Sequence, residues 1–250
     1  MSGVIKLRIE NDGIAWIKMH DEVHKNTFSK NFVEDFLDTM NELESFKNSV
    51  KVMVLQGLYD VFCAGADKDA LVALTKGNVI VKDIALSERL LDLEFPVIAA
   101  VEGHAMGGGL AMATCCDIVV AARESRFGAV FMSMGFTPGM GITTLLSELV
   151  GPYVASEMMF SAKRFKVSEL ERMGTNINHI VTKIRVIPVV KDIARRIAEK
   201  NPKSVRLLKY ALSARKKKLL IEARMQEDMM HRISFNYPET LKNIKDAYAK

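Results

Sequence analysis

Cysteine is scarce in this sequence: Cys63, Cys115 and Cys116 are the only three among 250 residues, and two of them are adjacent. Thiols so placed make no disulfide framework and read as reduced cysteines of a cytoplasmic protein. No cysteine and histidine cluster has the spacing of metal ligands, which argues against a metal site. Residues 1–13 hold no apolar stretch of the kind a signal peptide needs. No apolar run approaches the roughly 20 residues of a membrane helix, so no membrane span is expected. Neither a GxGxxG fingerprint nor a glycine loop ending in Gly-Lys-Ser/Thr occurs, which removes the common phosphate cradles.

What is present is an ordinary globular composition, 49% hydrophobic and 26% charged. A chain of this length can bury a sizeable core as one large domain, or as a domain with a helical appendage. The net charge of +5 is unevenly placed. Between Asn201 and Leu219 stand seven basic residues (Lys203, Arg206, Lys209, Arg215, Lys216, Lys217, Lys218) and no acidic one. This stretch is either the solvated face of a helix or a docking surface for something anionic, a nucleotide phosphate or an acidic protein. Aromatic residues do not interleave with these charges, which argues against nucleic acid.

Alternation over residues 4–10 and 14–19, with Asn11-Asp12-Gly13 between, predicts a β-hairpin. Ser29 opens an amphipathic helix in which Val33, Phe36, Leu37, Met40, Leu43 and Phe46 recur at three- and four-residue spacing. Residues 51–56 read as a buried strand and 67–78 as a loop or short helix. Residues 80–93 read as a helix that ends where Pro96 begins the apolar strand 96–101. Gly107-Gly108-Gly109 leads into the apolar run 110–116, and 117–122 is a further buried strand. Strand and helix therefore alternate with short connections, which predicts a right-handed α/β spiral. Helices dominate from Gly151 onward, with a short strand near 179–181. The expected division is a core over 1–195 and a helical C-terminal region over 196–250.

Two glycine-containing turns could carry chemistry, one at residues 62–67 (FCAGAD) and one at 103–109 (GHAMGGG). Glycine permits backbone conformations closed to other residues, so peptide N–H groups can face a ligand. The second turn also starts a helix, whose first N–H groups lack intrahelical partners and whose dipole favours negative charge. One N–H from each turn would form an oxyanion hole; the plainer alternative is two tight turns in a packed core.

FCAGAD followed by PVIAAVEGHAMGGGLAMATCCDIVVAA, in that order and spacing, resembles the crotonase (enoyl-CoA hydratase/isomerase) superfamily over nearly the whole chain. The resemblance implies an α/β fold, a crotonase-type ββα spiral core with a helical C-terminal part, assembled as a homotrimer or hexamer. It implies acyl thioester substrates carried on coenzyme A or a phosphopantetheine arm, with no cofactor of the protein's own. By position, the oxyanion-hole donors would be the backbone N–H groups of Ala66 and Gly108.

This sequence departs from the hydratases of that family at two places. Where they carry a pair of catalytic glutamates, it has Ala111 and Phe131. Hydration needs a paired acid and base, and neither residue can serve; Phe131 would also make that side of the pocket dry. Glu124 reads as a surface turn residue and not as a substitute. An oxyanion hole in a dry pocket suits decarboxylation, in which the departing CO₂ leaves an electron pair that delocalises into the thioester. This sequence most resembles the decarboxylating crotonase homologue of polyketide β-branching cassettes, through FMSMGFTPGMG (131–141), DEVHKNTFS (21–29) and MQEDMMHRISF (225–235). That likeness implies a 3-methylglutaconyl thioester on an acyl carrier protein as substrate and the 3-methylcrotonyl thioester as product. Acyl carrier proteins are acidic, so the basic stretch acquires a candidate partner.

The likeness also implies two catalytic groups. His231 takes the place of a pocket histidine, and the near-neutral titration of imidazole suits proton delivery to carbon. The family's lysine between the two turns aligns with Ile80; Lys82 is two residues on and Lys76 a few before, and Lys82 is the choice. His104, within the second turn, reads as shaping the turn, and the methionines near both turns as pliable core. Two other functions stay open: an enoyl-CoA isomerase or other crotonase acting on CoA esters, and a non-catalytic homologue that only binds a carrier protein.

Overall fold

The computed structural model describes residues 3–76 and 84–249. The chain begins with a hairpin of β1 (Ile5–Ile9) and β2 (Ile14–Met19), turned at Asn11-Asp12-Gly13 as expected. β3 (Thr27–Phe28) leads into α1 (Lys30–Ser45), whose N-terminus is capped by the Ser29 side chain accepting the Phe32 N–H. β4 (Val52–Gln56) follows, then β5 (Val61–Cys63), β6 (Gly65–Ala66), α2 (Lys68–Thr75) and α3 (Ile84–Asp92). The next segment runs β7 (Val97–Val101), β8 (His104–Met106), α4 (Gly108–Cys115), β9 (Ile118–Ala122) and β10 (Arg126–Gly128). A 3-10 turn at Val130–Met134 precedes α5 (Ile142–Val150), α6 (Pro152–Ser161), β11 (Phe165–Lys166) and α7 (Val167–Arg172). The chain then forms β12 (His179–Val181), α8 (Val186–Ala198), α9 (Pro202–Ser234) and α10 (Thr240–Ala247).

The main sheet has the order β1-β2-β4-β7-β9-β12 and is parallel apart from the first hairpin. Period-two alternation divides its side chains between two cores. Met53, Leu55, Ala99 and Ala121 point into the larger core under α1 and α4. Val52, Val54, Ile98 and Val120 point to the opposite face, where α8 covers them with Val186, Val190 and Ala194. Both faces are buried, which is why these strands read as continuous apolar runs.

A second sheet, ordered β11-β10-β8-β5, and a small one of β3 and β6 stand at the edge of the spiral and carry the two glycine turns. The expected division at 195 falls within α8; the break in secondary structure lies between Ala198 and Pro202, where Asn201 caps α9.

Candidate active site

Backbone geometry brings the two turns together. Gly65 has φ +89° and Gly107 φ +51°, conformations that L side chains resist. A methyl group placed on Gly65 would lie 2.7 Å from the Met106 carbonyl oxygen and 3.1 Å from the Gly108 nitrogen, so the turns touch backbone to backbone. The second turn is held by the Gly107 N–H donating to the Gly128 carbonyl at 2.8 Å. Gly108, as the first residue of α4, has an N–H with no intrahelical acceptor at the positive end of the helix. The first turn is held from below by Asn26, fully buried, whose amide donates to the Phe62 carbonyl at 2.9 Å. The Ala64 N–H donates to the Lys25 carbonyl at 3.0 Å. Tyr248, just past α10, donates its hydroxyl to the Ala66 carbonyl at 2.6 Å. Burial, with Asp67 beside it, pushes the Tyr248 phenol up to about 12.

One wall of the site is apolar. Ala111 is fully buried in α4, and the Phe131 ring lies within 3.8 Å of where a side chain on Gly107 would begin. Phe131 meets Phe136 edge-on at 6.0 Å, and Phe136 stacks on Phe235 at 4.6 Å. His231 is edge-on to Phe235 at 5.3 Å and to Phe136 at 6.4 Å. Its Nε2 is 2.9 Å from the Thr137 carbonyl oxygen, which only accepts, so Nε2 carries a proton. Nδ1 is buried with no hydrogen-bond partner among the described residues. Nδ1 is therefore the ring nitrogen that the fold does not use. Any side chain at Gly139 would strike the imidazole. Lys82 and Ile80 lie outside the described residues.

With the two turns, the apolar wall and the histidine in place, comparison with known proteins is informative. The model of the family described as enoyl-CoA hydratase/isomerase matches residues 9–248. The chain belongs to that family. Among its curated relatives is the bacillaene synthase decarboxylase PksI of Bacillus subtilis, 33% identical over 245 residues that cover 98% of each chain. A structure from a dehydratase/decarboxylase enzyme couple involved in polyketide β-branching superposes with a TM-score of 0.94 at 32% identity, covering 99% of this chain and 100% of the other. The ECH2 decarboxylase domain of CurF from Lyngbya majuscula superposes at 0.92 with 33% identity, covering 98% of this chain and 100% of that one.

His104 and Glu124 stand as the sequence predicts, one in the turn and one on the surface. His104 accepts the Arg126 backbone N–H on Nδ1 at 3.0 Å. Burial first, then the neighbouring Lys183 and Arg126, hold its pKa below the usual histidine value, so a neutral imidazole braces the turn. Glu124 is exposed and accepts the Lys183 backbone N–H at 3.0 Å. No group of three or more potential metal ligands forms among the described residues.

The basic stretch at 201–219 departs from the docking reading. Lys209 is buried and donates to both Asp117 oxygens at 2.9 and 2.7 Å. Lys216 donates to the Thr114 and Cys116 carbonyls at 2.9 and 2.6 Å, completing the C-terminal end of α4. Arg206 binds the Lys47 carbonyl, while Arg215, Lys217 and Lys218 pair with Glu148, Asp92 and Glu222. Most of these charges attach α9 to the core; Lys218 pairs within α9, and Lys203 is exposed with no ion pair among the described residues.

Sequence reading missed one group of importance, the carboxylate of Glu227. It is buried and accepts from the Gly141 N–H at 2.7 Å, the Thr143 N–H at 3.1 Å and the Thr143 hydroxyl at 2.6 Å. Ser234 Oγ lies 3.2 Å from the Thr137 nitrogen and 3.1 Å from its Oγ1. Glu227, His231 and Ser234 stand at helical spacing on one face of α9 and clamp the 137–143 segment, whose Met140 lies against Gly108. The signal was available in that spacing.

Proposed function

We propose that this chain decarboxylates a 3-methylglutaconyl thioester carried on an acyl carrier protein, yielding the 3-methylcrotonyl thioester in polyketide β-branching. The observation that carries this reading is the pairing of two converged oxyanion turns with Ala111 and Phe131 where hydratases hold their acid and base. The decarboxylases named above, alike over 98–99% of this chain, support it.

In this reading the thioester oxygen is held by the N–H groups of Ala66 and Gly108. The bond from the γ-carbon to the carboxylate breaks, CO₂ leaves, and the electron pair delocalises through the double bond onto that oxygen as a dienolate. Donors aimed at the developing oxyanion lower the barrier; removing one of this kind typically costs about 10²–10³ in rate. The dienolate collapses by taking a proton at the γ-carbon from Nδ1 of His231, which must then be doubly protonated at the start. Lys82 orients the departing carboxylate. No cofactor takes part, since the thioester itself is the electron sink.

The assembly belongs to the proposal as a homotrimer or hexamer. Leu207, Leu208, Leu212, Ile221 and Met225 are exposed along α9, more apolar surface than a lone helix leaves in water. No described helix is long and apolar enough to cross a membrane. A cytoplasmic setting completes the reading and accords with the buried thiols of Cys115 and Cys116, whose pKa burial pushes up. Incubation with carrier-borne 3-methylglutaconate, followed by mass measurement of the acyl arm, tests it. Loss of the mass of CO₂ is expected. An unchanged mass with a migrated double bond would make the protein an isomerase, and no change at all would leave only carrier binding.

A further inference from the structure

On the flank of the spiral a hollow of about 740 Å³ is walled by six cationic side chains against two carboxylates. Both carboxylates are already engaged. Arg123 clasps Glu171 with two hydrogen bonds of 2.9 and 2.7 Å, and Glu169 accepts the Lys166 backbone N–H at 2.7 Å. Lys163 is 3.5 Å from Glu157 and lies over the Phe165 ring. Arg164, Lys166 and Arg172 are exposed, and none of them makes an ion pair among the described residues. The hollow therefore presents positive charge that the fold does not neutralise.

These charges approach the second glycine turn, and a further cation outside the hollow, Lys183, stands near the first. Arg126, whose guanidinium donates to the Arg164 carbonyl at 3.3 Å, stands in β10 beside β8. It is two residues, about 7 Å along a strand, from Gly128, whose carbonyl holds the Gly107 N–H. The aliphatic part of Arg164 lies against Gly128. Lys183 bridges to Asp60 at 2.9 Å, and Asp60 also senses Lys25, whose carbonyl holds the Ala64 N–H of the first turn.

We propose that the acidic face of the acyl carrier protein docks on this surface, centred on Arg164, Lys166 and Arg172, and not on the basic stretch of α9. The inference rests on the carrier-borne substrate of the preceding reading. From here the arm enters along β8 and β10 toward Ala66 and Gly108. Unneutralised cations beside a site mouth steer an anionic partner and set its orientation, whereas cations held in internal pairs do neither.

The test uses the full chain and an acidic polyketide acyl carrier protein bearing the 3-methylglutaconyl arm. Carrier binding is measured by calorimetry, and turnover is compared on the carrier-borne substrate and on the same acyl group carried by pantetheine. Arg164→Glu/Lys166→Glu and, separately, Arg172→Glu are expected to weaken carrier binding about ten-fold or more, as reversal of steering charges does. KM for the carrier-borne substrate should rise in step, with turnover of the pantetheine thioester within about two-fold of wild type and a flatter salt dependence. Lys218→Glu on α9 should bind the carrier as wild type does. Undiminished carrier binding by both patch variants would overturn the proposal, as would equal weakening by Lys218→Glu. Equal loss on both substrates, or a changed oligomeric mass of the variants, would also overturn it, the latter making the patch an interface between copies. If the wild type turns over neither thioester, the decarboxylase reading fails, while the binding titration still decides where the carrier docks.

Discussion

A side chain at position 108 would collide with the Phe28 ring and approach the Met140 sulfur to 2.9 Å. Gly108→Ala should therefore lose about 1–3 kcal/mol from overpacking, read as a lower denaturation midpoint. In the proposed mechanism it should also lose about 10²-fold or more in kcat, because the N–H would swing away from the oxyanion. His231→Gln keeps a donor for the Thr137 carbonyl but removes the nitrogen that carries a second proton. Its kcat is expected to fall by about 10²–10⁴ with the melting temperature little changed; an unchanged kcat would remove His231 from the mechanism. Tyr248 gives a prediction in pH. Folded, its phenol holds the proton up to about 12, whereas an unfolded tyrosine ionises near 10. Its stabilising contribution is thus whole below pH 10 and is lost as the pH climbs toward 12. The loss is modest because the residue is 38% exposed. Tyr248→Phe should flatten that alkaline fall in melting temperature.

At the scale of elements, the clamp between α9 and the 137–143 segment is the feature most open to test. Glu227→Ala leaves two backbone N–H groups and the Thr143 hydroxyl without their acceptor and should cost about 3 kcal/mol, as charged hydrogen bonds do when broken. Because the same segment holds Nε2 of His231, kcat should fall as well, and Glu227→Gln should recover part of both. Local signals made much of this legible in sequence. Asn11-Asp12-Gly13 marked the hairpin, Ser29 the start of α1, and the glycines of 62–67 and 103–109 the paired turns. Those signals act over a few residues, which is why a linear reading finds them. The basic stretch misled because its partners are remote: Asp117 is 92 residues from Lys209, and the Thr114 carbonyl is 102 from Lys216. Glu227 was hidden differently, as one acid in a run that also contains Asp228, with only its helical spacing to His231 and Ser234 to distinguish it.

Across the whole molecule, α9 is joined to the spiral at both of its ends. At one end Lys209 is buried against Asp117, which also accepts the Val97 N–H at 2.7 Å; at the other end is the Glu227 clamp. Lys209→Ala strands the aspartate without a cation. A loss of about 3 kcal/mol is expected, at the low end for a broken buried pair because Asp117 keeps some access to water. Chemical denaturation measures it, and Lys209→Met, which keeps the packing, should recover little, since the charge is what is missing. The proposed homotrimer or hexamer predicts a solution mass that is a multiple of three chains, measured by light scattering, and if the exposed apolar residues of α9 lie in its interface, Leu212→Glu should reduce it.

The hydroxyl of Tyr248 reaches the Ala66 carbonyl across 182 residues of chain. During synthesis the strands of the spiral can pair as they emerge, N-terminal part first. The turn at 62–67 nevertheless waits for this contact until residue 248 has left the ribosome. A nascent chain halted after α9 would hold a formed sheet while the turn at 62–67 still lacked its Tyr248 contact, so that turn is completed only once α10 has docked.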